Sequence, residues 1–389
     1  MNRKQFFILL IVVLVVGGGG LLIHQRSNNS WENSGAALGG KLLPGLPVND
    51  IAAITIKSGT NELHLARQDN LWRVRERGNY PANFSQISEW LIKLSDLKIA
   101  QSQDVGPSQR GRFDLLPVGP GEHTATQVEF ADAKGKAVAS LLLGKKHMKK
   151  PTGQQPPGMG EEGWPDGRYV MAGGVTTTLD VISDPLENTE AKPDQWLNKD
   201  FLTVEKPDAI SVQFPEATNS WKLTRTAETN DWQLAGAKPK EKLDATKVSG
   251  VTTPFGSPSF NDVLPADTNP AAAGLTNVTE VTVETLDGFT YAAQIGQKRE
   301  ENYPVTFTIT ANLPATNAPA PDAKPADQAK AAADFKARQK TLADKLAREQ
   351  QYQHWIYLMP TYAIDPLLKN RADLLESETN HTTSTTAAK

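Results

Sequence analysis

Ile54-Thr55-Ile56-Lys57-Ser58-Gly59-Thr60-Asn61-Glu62-Leu63-His64-Leu65 decides the fold, because its apolar residues alternate with polar ones in the period-2 pattern of a half-buried strand. Trp72 and Val74 continue the alternation. The same arrangement opens a second time with Ile210, Val212 and Phe214, then Trp221 and Leu223, then Trp232 and Leu234. Further along, Val128, Phe130, Gly135 and Gly144 match Val281, Val283, Gly288 and Gly296 with spacings that differ by one residue, each set reading as a hairpin. A later strand is expected in each copy, Arg168 to Met171 in the first and Trp355 to Leu358 in the second, followed by helices over Thr178 to Leu186 and Tyr362 to Leu375.

Copies of about 150 residues are each large enough to own a core, which makes them domain duplications rather than solenoid repeats. Ile87, Leu91, Leu94 and Leu97 recur at helical offsets and predict an amphipathic helix after the early strands of the first copy. One-sided strands with a few covering helices imply the α+β class, as two repeated domains with largely antiparallel sheets. The expected domains are residues 48–202 and 203–375.

Two insertions interrupt this scheme. In the first copy, a loop from Lys145 to Gly167 carries Lys145, Lys146, Lys149 and Lys150 and the acidic residues Glu161, Glu162 and Asp166. The lysines form a candidate loop for an anionic ligand, against the alternative of a solvated loop. In the second copy a Pro/Ala linker, 313–325, leads into a helical insertion, 326–353. Its thin apolar stripe, Phe335, Leu342 and Leu346, is a candidate partner-binding edge on a projecting arm, against the alternative of a solvated hairpin. Pairs such as Asp334 with Arg338 and Lys345 with Glu349 fall at ion-pair spacing on this helix. The polar residues 376–389 are expected to be a disordered tail.

Location is set by the beginning of the chain. Phe6 to Ile23 is an uncharged run of 18 residues, fourteen of them Phe, Ile, Leu or Val. As a helix it spans about 27 Å, close to the roughly 30 Å of bilayer hydrocarbon. Residues 6–23 are therefore expected to be a transmembrane anchor, with 1–5 in the cytoplasm and 24–47 as a tether. The competing reading is a cleaved signal peptide, whose apolar core is shorter and ends at a small-x-small site. Arg3, Lys4 and the α-amino group precede the run against Arg26 alone after it, which holds the N-terminus inside and exports the bulk of the chain to the periplasm.

Several kinds of chemistry receive no support. The chain has no cysteine, which removes disulfides, thiol catalysis and zinc-thiolate sites. Its net charge of -3 gives no field that would favour nucleic acid. Six histidines stand at 24, 64, 123, 147, 354 and 381, none at the i, i+4 spacing of a helical metal site. No nucleophile elbow, phosphate-cradling loop or dinucleotide fingerprint is present. No catalytic residue, metal or cofactor is expected. Trp72 and Trp232 are expected in the core rather than as sugar-stacking platforms, since each sits on a strand with apolar alternate positions.

Leu43-Pro44-Gly45-Leu46-Pro47-Val48-Asn49-Asp50 leading into Ile54, the Asp69-Asn70-Leu71-Trp72 turn and the Trp196-Leu197-Asn198-Lys199-Asp200-Phe201 junction resemble a family of membrane-anchored bacterial proteins built on a domain of unknown function. Its members are often encoded beside ATP-binding-cassette (ABC) transporters similar to the gliding-motility exporters. The resemblance covers roughly residues 43 to 375 and transfers no catalytic residue. It implies a non-enzymatic extracytoplasmic accessory or scaffolding subunit that partners an ABC-type permease in the same membrane. The alternative is a membrane-anchored binder of cell-wall glycan or another envelope ligand.

Overall fold

Alternation puts every second side chain of the opening strands against one core, and the computed structural model describes how that core is assembled. It describes residues 38–149, 163–173, 177–254, 256–265, 267–313 and 325–376. The expected anchor 6–23, the tether up to residue 37, Lys150, Glu161, Glu162, the linker 314–324 and the tail from 377 lie outside the described residues. The chain divides into two compact units between Asn198 and Lys199, four residues before the expected boundary.

In the first unit, β1 (Ile51–Ser58) and β2 (Asn61–Gln68) pair with Ile54 opposite Leu65 and Ile56 opposite Leu63. All four side chains are buried. A second hairpin joins β2 to β3 (Leu71–Val74) through Asp69 and Asn70, both at positive φ, the two-residue turn whose twist matches the strands it links. After β4 (Tyr80–Pro81) comes α1 (Phe84–Asp96), whose Asn83 cap accepts from Gln86 N at 3.1 Å. Its face Ile87, Trp90, Leu91 and Leu94 is buried, with Trp90 packing 5.7 Å from the Phe130 ring. Each such side chain contributes roughly 1.5–3 kcal/mol when fully buried. The unit is completed by β5 (Ile99–Asp104), β6 (Thr126–Asp132), β7 (Ala137–Lys149), β8 (Trp164–Ala172) and β9 (Thr178–Ile182).

The second unit carries β10 (Pro207–Gln213), β11 (Trp221–Thr224), β12 (Gln233–Leu234), α2 (Ala245–Thr252), β13 (Asp262–Pro265) and α3 (Pro270–Ala273). It continues with β14 (Thr279–Thr285), β15 (Phe289–Ile295), β16 (Asn302–Ala311), α4 (Pro325–Glu349), β17 (Trp355–Pro360) and α5 (Thr361–Ile364). The fold is α+β, with two large antiparallel sheets and few helices.

Strands lie in the order β4-β3-β2-β1-β6-β7-β8-β9-β5 in the first sheet and β12-β11-β10-β14-β15-β16-β17-β13 in the second. With β4 set aside, the two orders are the same. Register agrees as well: Ile54 lies between Leu65 and Phe130, and Ile210 between Leu223 and Val283. The register of the first strand shifts at corresponding points, between Ile51 and Ala53 and between Pro207 and Ala209.

Four expectations are corrected by this topology. Thr178 to Ile182 is strand β9, not the start of a helix, because it fits between β8 and β5 and bonds to both. Tyr362 to Leu375 is not one helix: α5 ends at Ile364, just before Asp365-Pro366, and a 3₁₀ turn follows only at Arg371–Leu374. Trp355 to Leu358 takes the place of β9, while β16 holds the place of β8. That strand's Val305, Phe307 and Ile309 are buried and alternate with threonines. Finally, residues 38–47 are packed on the first unit rather than free of it. Leu42 N donates to Leu97 O at 2.8 Å, Gly39 N to Ile99 O at 2.8 Å, and Leu42 and Leu43 are buried.

Candidate functional site

The helical insertion is real, as α4 followed by a 3₁₀ turn over Gln350–His354. Its Phe335, Leu342 and Leu346 are half-buried, on the face that the helix turns toward its own unit's sheet. Arg338 on that face pairs with Asp287, and Lys345 Nζ donates to Thr203 O at 3.0 Å and Glu205 at 2.8 Å while lying 5.3 Å from the Phe289 ring. One turn on, the buried Glu349 carboxylate accepts from the Tyr291 hydroxyl at 2.7 Å. Burial and that neighbouring carboxylate push the Tyr291 phenol well above its usual range. The last turn of α4 thus closes part of the second core, while Gln328 to Asp334 are exposed at every position and the turns between are exposed on their outer face. Lys345 and Glu349 do approach one another, at 3.9 Å, whereas Arg338 is drawn to Asp287.

The described members of the lysine cluster, Lys145, Lys146 and Lys149, do not gather at one place. Lys145, Lys146 and Lys149 belong to β7, which runs on as a strand where a loop was expected, so consecutive side chains leave on opposite faces. Lys145 Nζ lies 5.7 Å from the Phe113 ring and 6.0 Å from Tyr169, Lys146 pairs with Glu187 at 3.3 Å, and Lys149 is exposed. The same hairpin builds a pair that no local sequence pattern marks: His147 Nδ1 lies 2.6 Å from Asp166, and its ring 5.6 Å from that of Tyr169. The carboxylate orients the imidazole, but no nucleophile stands beside it among the described contacts.

Of the two tryptophans expected in the core, Trp72 is there and Trp232, just before β12, is not. Trp72 is buried on β3, and the half-buried Trp232 carries the Arg225 guanidinium 4.6 Å from its ring. In the junction segment, Trp196 and Leu197 are buried in the first unit, while Phe201 joins Phe260, Phe307, Tyr352 and Tyr357 in an aromatic cluster of the second.

Each unit also has a cleft between its covering helix and the segment that follows its last strand. The first, about 280 Å³, lies between α1 and residues 184–188, over Trp90 and Trp196. The second, about 530 Å³, lies between α2 and residues 366–376. In the first, Leu186 sits at positive φ, an unusual state for leucine, held by Asp184 through its N–H at 2.7 Å and by Arg168 through its carbonyl at 3.1 Å. Glu89, Gln86 and Asn188 line this cleft with polar side chains.

Asp180 is a buried acid on β9, opposite Ser102 on β5, and burial raises its carboxyl above the usual range against a lowering hydrogen bond from Ser102. Among the described residues no group of three or more His, Asp or Glu is placed to hold a metal ion, and no helix is long and apolar enough to cross a membrane. No protein family, curated protein or solved structure matches this chain.

Proposed function

We propose that this chain is a non-enzymatic extracytoplasmic accessory or scaffolding subunit, anchored in the cytoplasmic membrane by residues 6–23 with its N-terminus inside, and associated with an ABC-type permease. The observation that carries this reading is an 18-residue uncharged run followed by two units of one strand order. On this reading the units are copies of one ancestral α+β domain, each offering a sheet and covering segments to other subunits. The exposed part of α4 is the arm that meets a partner, with Phe335 at its inner margin.

Detergent extraction should recover the chain together with membrane subunits, and deletion of residues 327–337 should reduce their yield while melting stays cooperative. Undiminished yield would leave the arm without a role in association. Alkaline phosphatase fused after Lys389 should be active, and a cytosol-dependent fluorescent reporter at the same place dark. The reverse pattern would sink the orientation.

A second reading, a binder of cell-wall glycan, is favoured by the cleft of the first unit, where Gln86, Glu89 and Asn188 line a depression with Trp90 and Trp196 buried beneath it. Titration of the full chain with peptidoglycan fragments separates the two: saturable binding lost in Glu89→Gln supports this reading, and none supports the scaffold.

A further inference from the structure

The first described residue, Leu38, is 58% exposed, and Ile92, one turn before the C-terminal end of α1, is 53% exposed. Backbone bonds join the segment after Leu38 to the residues that follow α1: Gly39 N donates to Ile99 O and Leu42 N to Leu97 O, both at 2.8 Å, with Lys41 opposite Lys98. Lys41 Nζ reaches Asp96, one turn from Ile92, at 2.9 Å, and Lys93 reaches Asp184 at 3.1 Å. These pairs are half-exposed or more at the lysines, so each contributes little to stability and can exchange its carboxylate for another anion. Lys98 is exposed at the same spot. The corner thus combines two uncovered aliphatic side chains with three lysines whose stems are long enough to lie along an interface.

Residues 24–37 are all that separate this corner from the apolar run ending at Ile23. At no more than about 3.5 Å per residue they keep Leu38 within roughly 50 Å of the bilayer, about one domain diameter. We propose that this corner of the first unit rests on the membrane surface, with Leu38 and Ile92 in the headgroup layer and Lys41, Lys93 and Lys98 on lipid phosphates. The inference rests on the anchored reading above. Shallow insertion of aliphatic residues beside lysines is the chemistry of peripheral membrane contacts, and the anchor supplies the proximity that so small a patch lacks alone.

The chain has no cysteine, so single cysteines can carry a fluorophore. Full-length protein with Ile92→Cys labelled, reconstituted into phosphatidylcholine vesicles containing headgroup spin-labelled lipid, should be quenched at least about threefold more than protein labelled at Thr308→Cys, on an exposed position of β16. With the label moved to Lys98→Cys, the double change Leu38→Ser/Ile92→Ser should lower quenching by half or more. Equal quenching at 92 and 308, in chains that float with the vesicles, overturns the docking and leaves the anchor standing. Chains that do not float overturn the anchor, and the docking with it. Quenching at 98 unchanged by the serine pair overturns the role of the two aliphatic side chains.

Discussion

Gly144, within β7, and Gly296, immediately after β15, hold the same register position, and each leaves the space for a backbone carbonyl, that of Phe113 over the first and of Gly274 over the second. Each carbonyl ends a helical turn that precedes the next strand, the 3₁₀ turn Pro107–Phe113 in one unit and α3 in the other. A Cβ at either glycine would overlap that oxygen and a neighbouring side chain, Leu115 or Pro304. Gly144→Ala and Gly296→Ala should therefore each destabilise by about 1–3 kcal/mol, the usual result of overpacking. Chemical denaturation followed by intrinsic fluorescence measures it, and two neutral substitutions would show that the turns are free to move away.

The helix caps form a second matched pair. Asn83 accepts from Gln86 N while its own N–H donates to Trp196 O at 2.8 Å; Asp244 accepts from Thr246 N and Lys247 N while its N–H donates to Leu374 O at 2.9 Å. Asn83→Ala and Asp244→Ala should each cost about 1 kcal/mol, read as a lower denaturation midpoint at unchanged slope. A loss at only one site would mean that the two caps carry unequal loads.

Asp180 gives a pH dependence with a definite sign. Burial raises its folded-state pKa above the unfolded value, so between the two the native state binds more protons and stability falls as pH rises through that window. Asp180→Asn removes this decline. Relative to the parent, the variant should gain stability as pH rises through and above the usual carboxylate range, as measured by urea midpoints at each pH. A difference that stays constant over that range would place the carboxyl in water.

Tyr291→Phe removes the donor that satisfies the buried Glu349 carboxylate, leaving Lys345 at 3.9 Å as its remaining ionic neighbour among the described contacts. The expected loss is about 1–3 kcal/mol. Removing residues 327–337 should cost far less, since Gln328 to Asp334 are exposed. Thermal melts of the two variants compare them directly, and similar losses would mean that the outer part of α4 also supports the second core.

The opening hairpins were legible because side-chain alternation is a local property: Ile54, Ile56, Leu63 and Leu65 are buried where the pattern put them, and Ile87, Leu91 and Leu94 lie on the buried face of α1. The match of Gly144 with Gly296 was visible too, because a carbonyl packed on the backbone tolerates only glycine. Of the candidate sites, the sequence supplied the existence and length of α4 but not the use of its faces. Its stripe suggested an arm, and the sheet beneath it, through Tyr291, Phe289 and Asp287, claimed the last turns.

The sequence by itself determined the α+β class, the doubled opening strands, the covering helix of the first unit and the uncharged run at residues 6–23. Periodicity and composition encode these within short windows. Only the tertiary structure decided that residues 178–182 extend a sheet, that β16 stands where β8 does, that the lysines of β7 diverge, and that His147 meets Asp166. Each of these depends on pairing between segments distant in the chain, and a strand's neighbours are chosen by register and burial across the whole sheet rather than by its own residues.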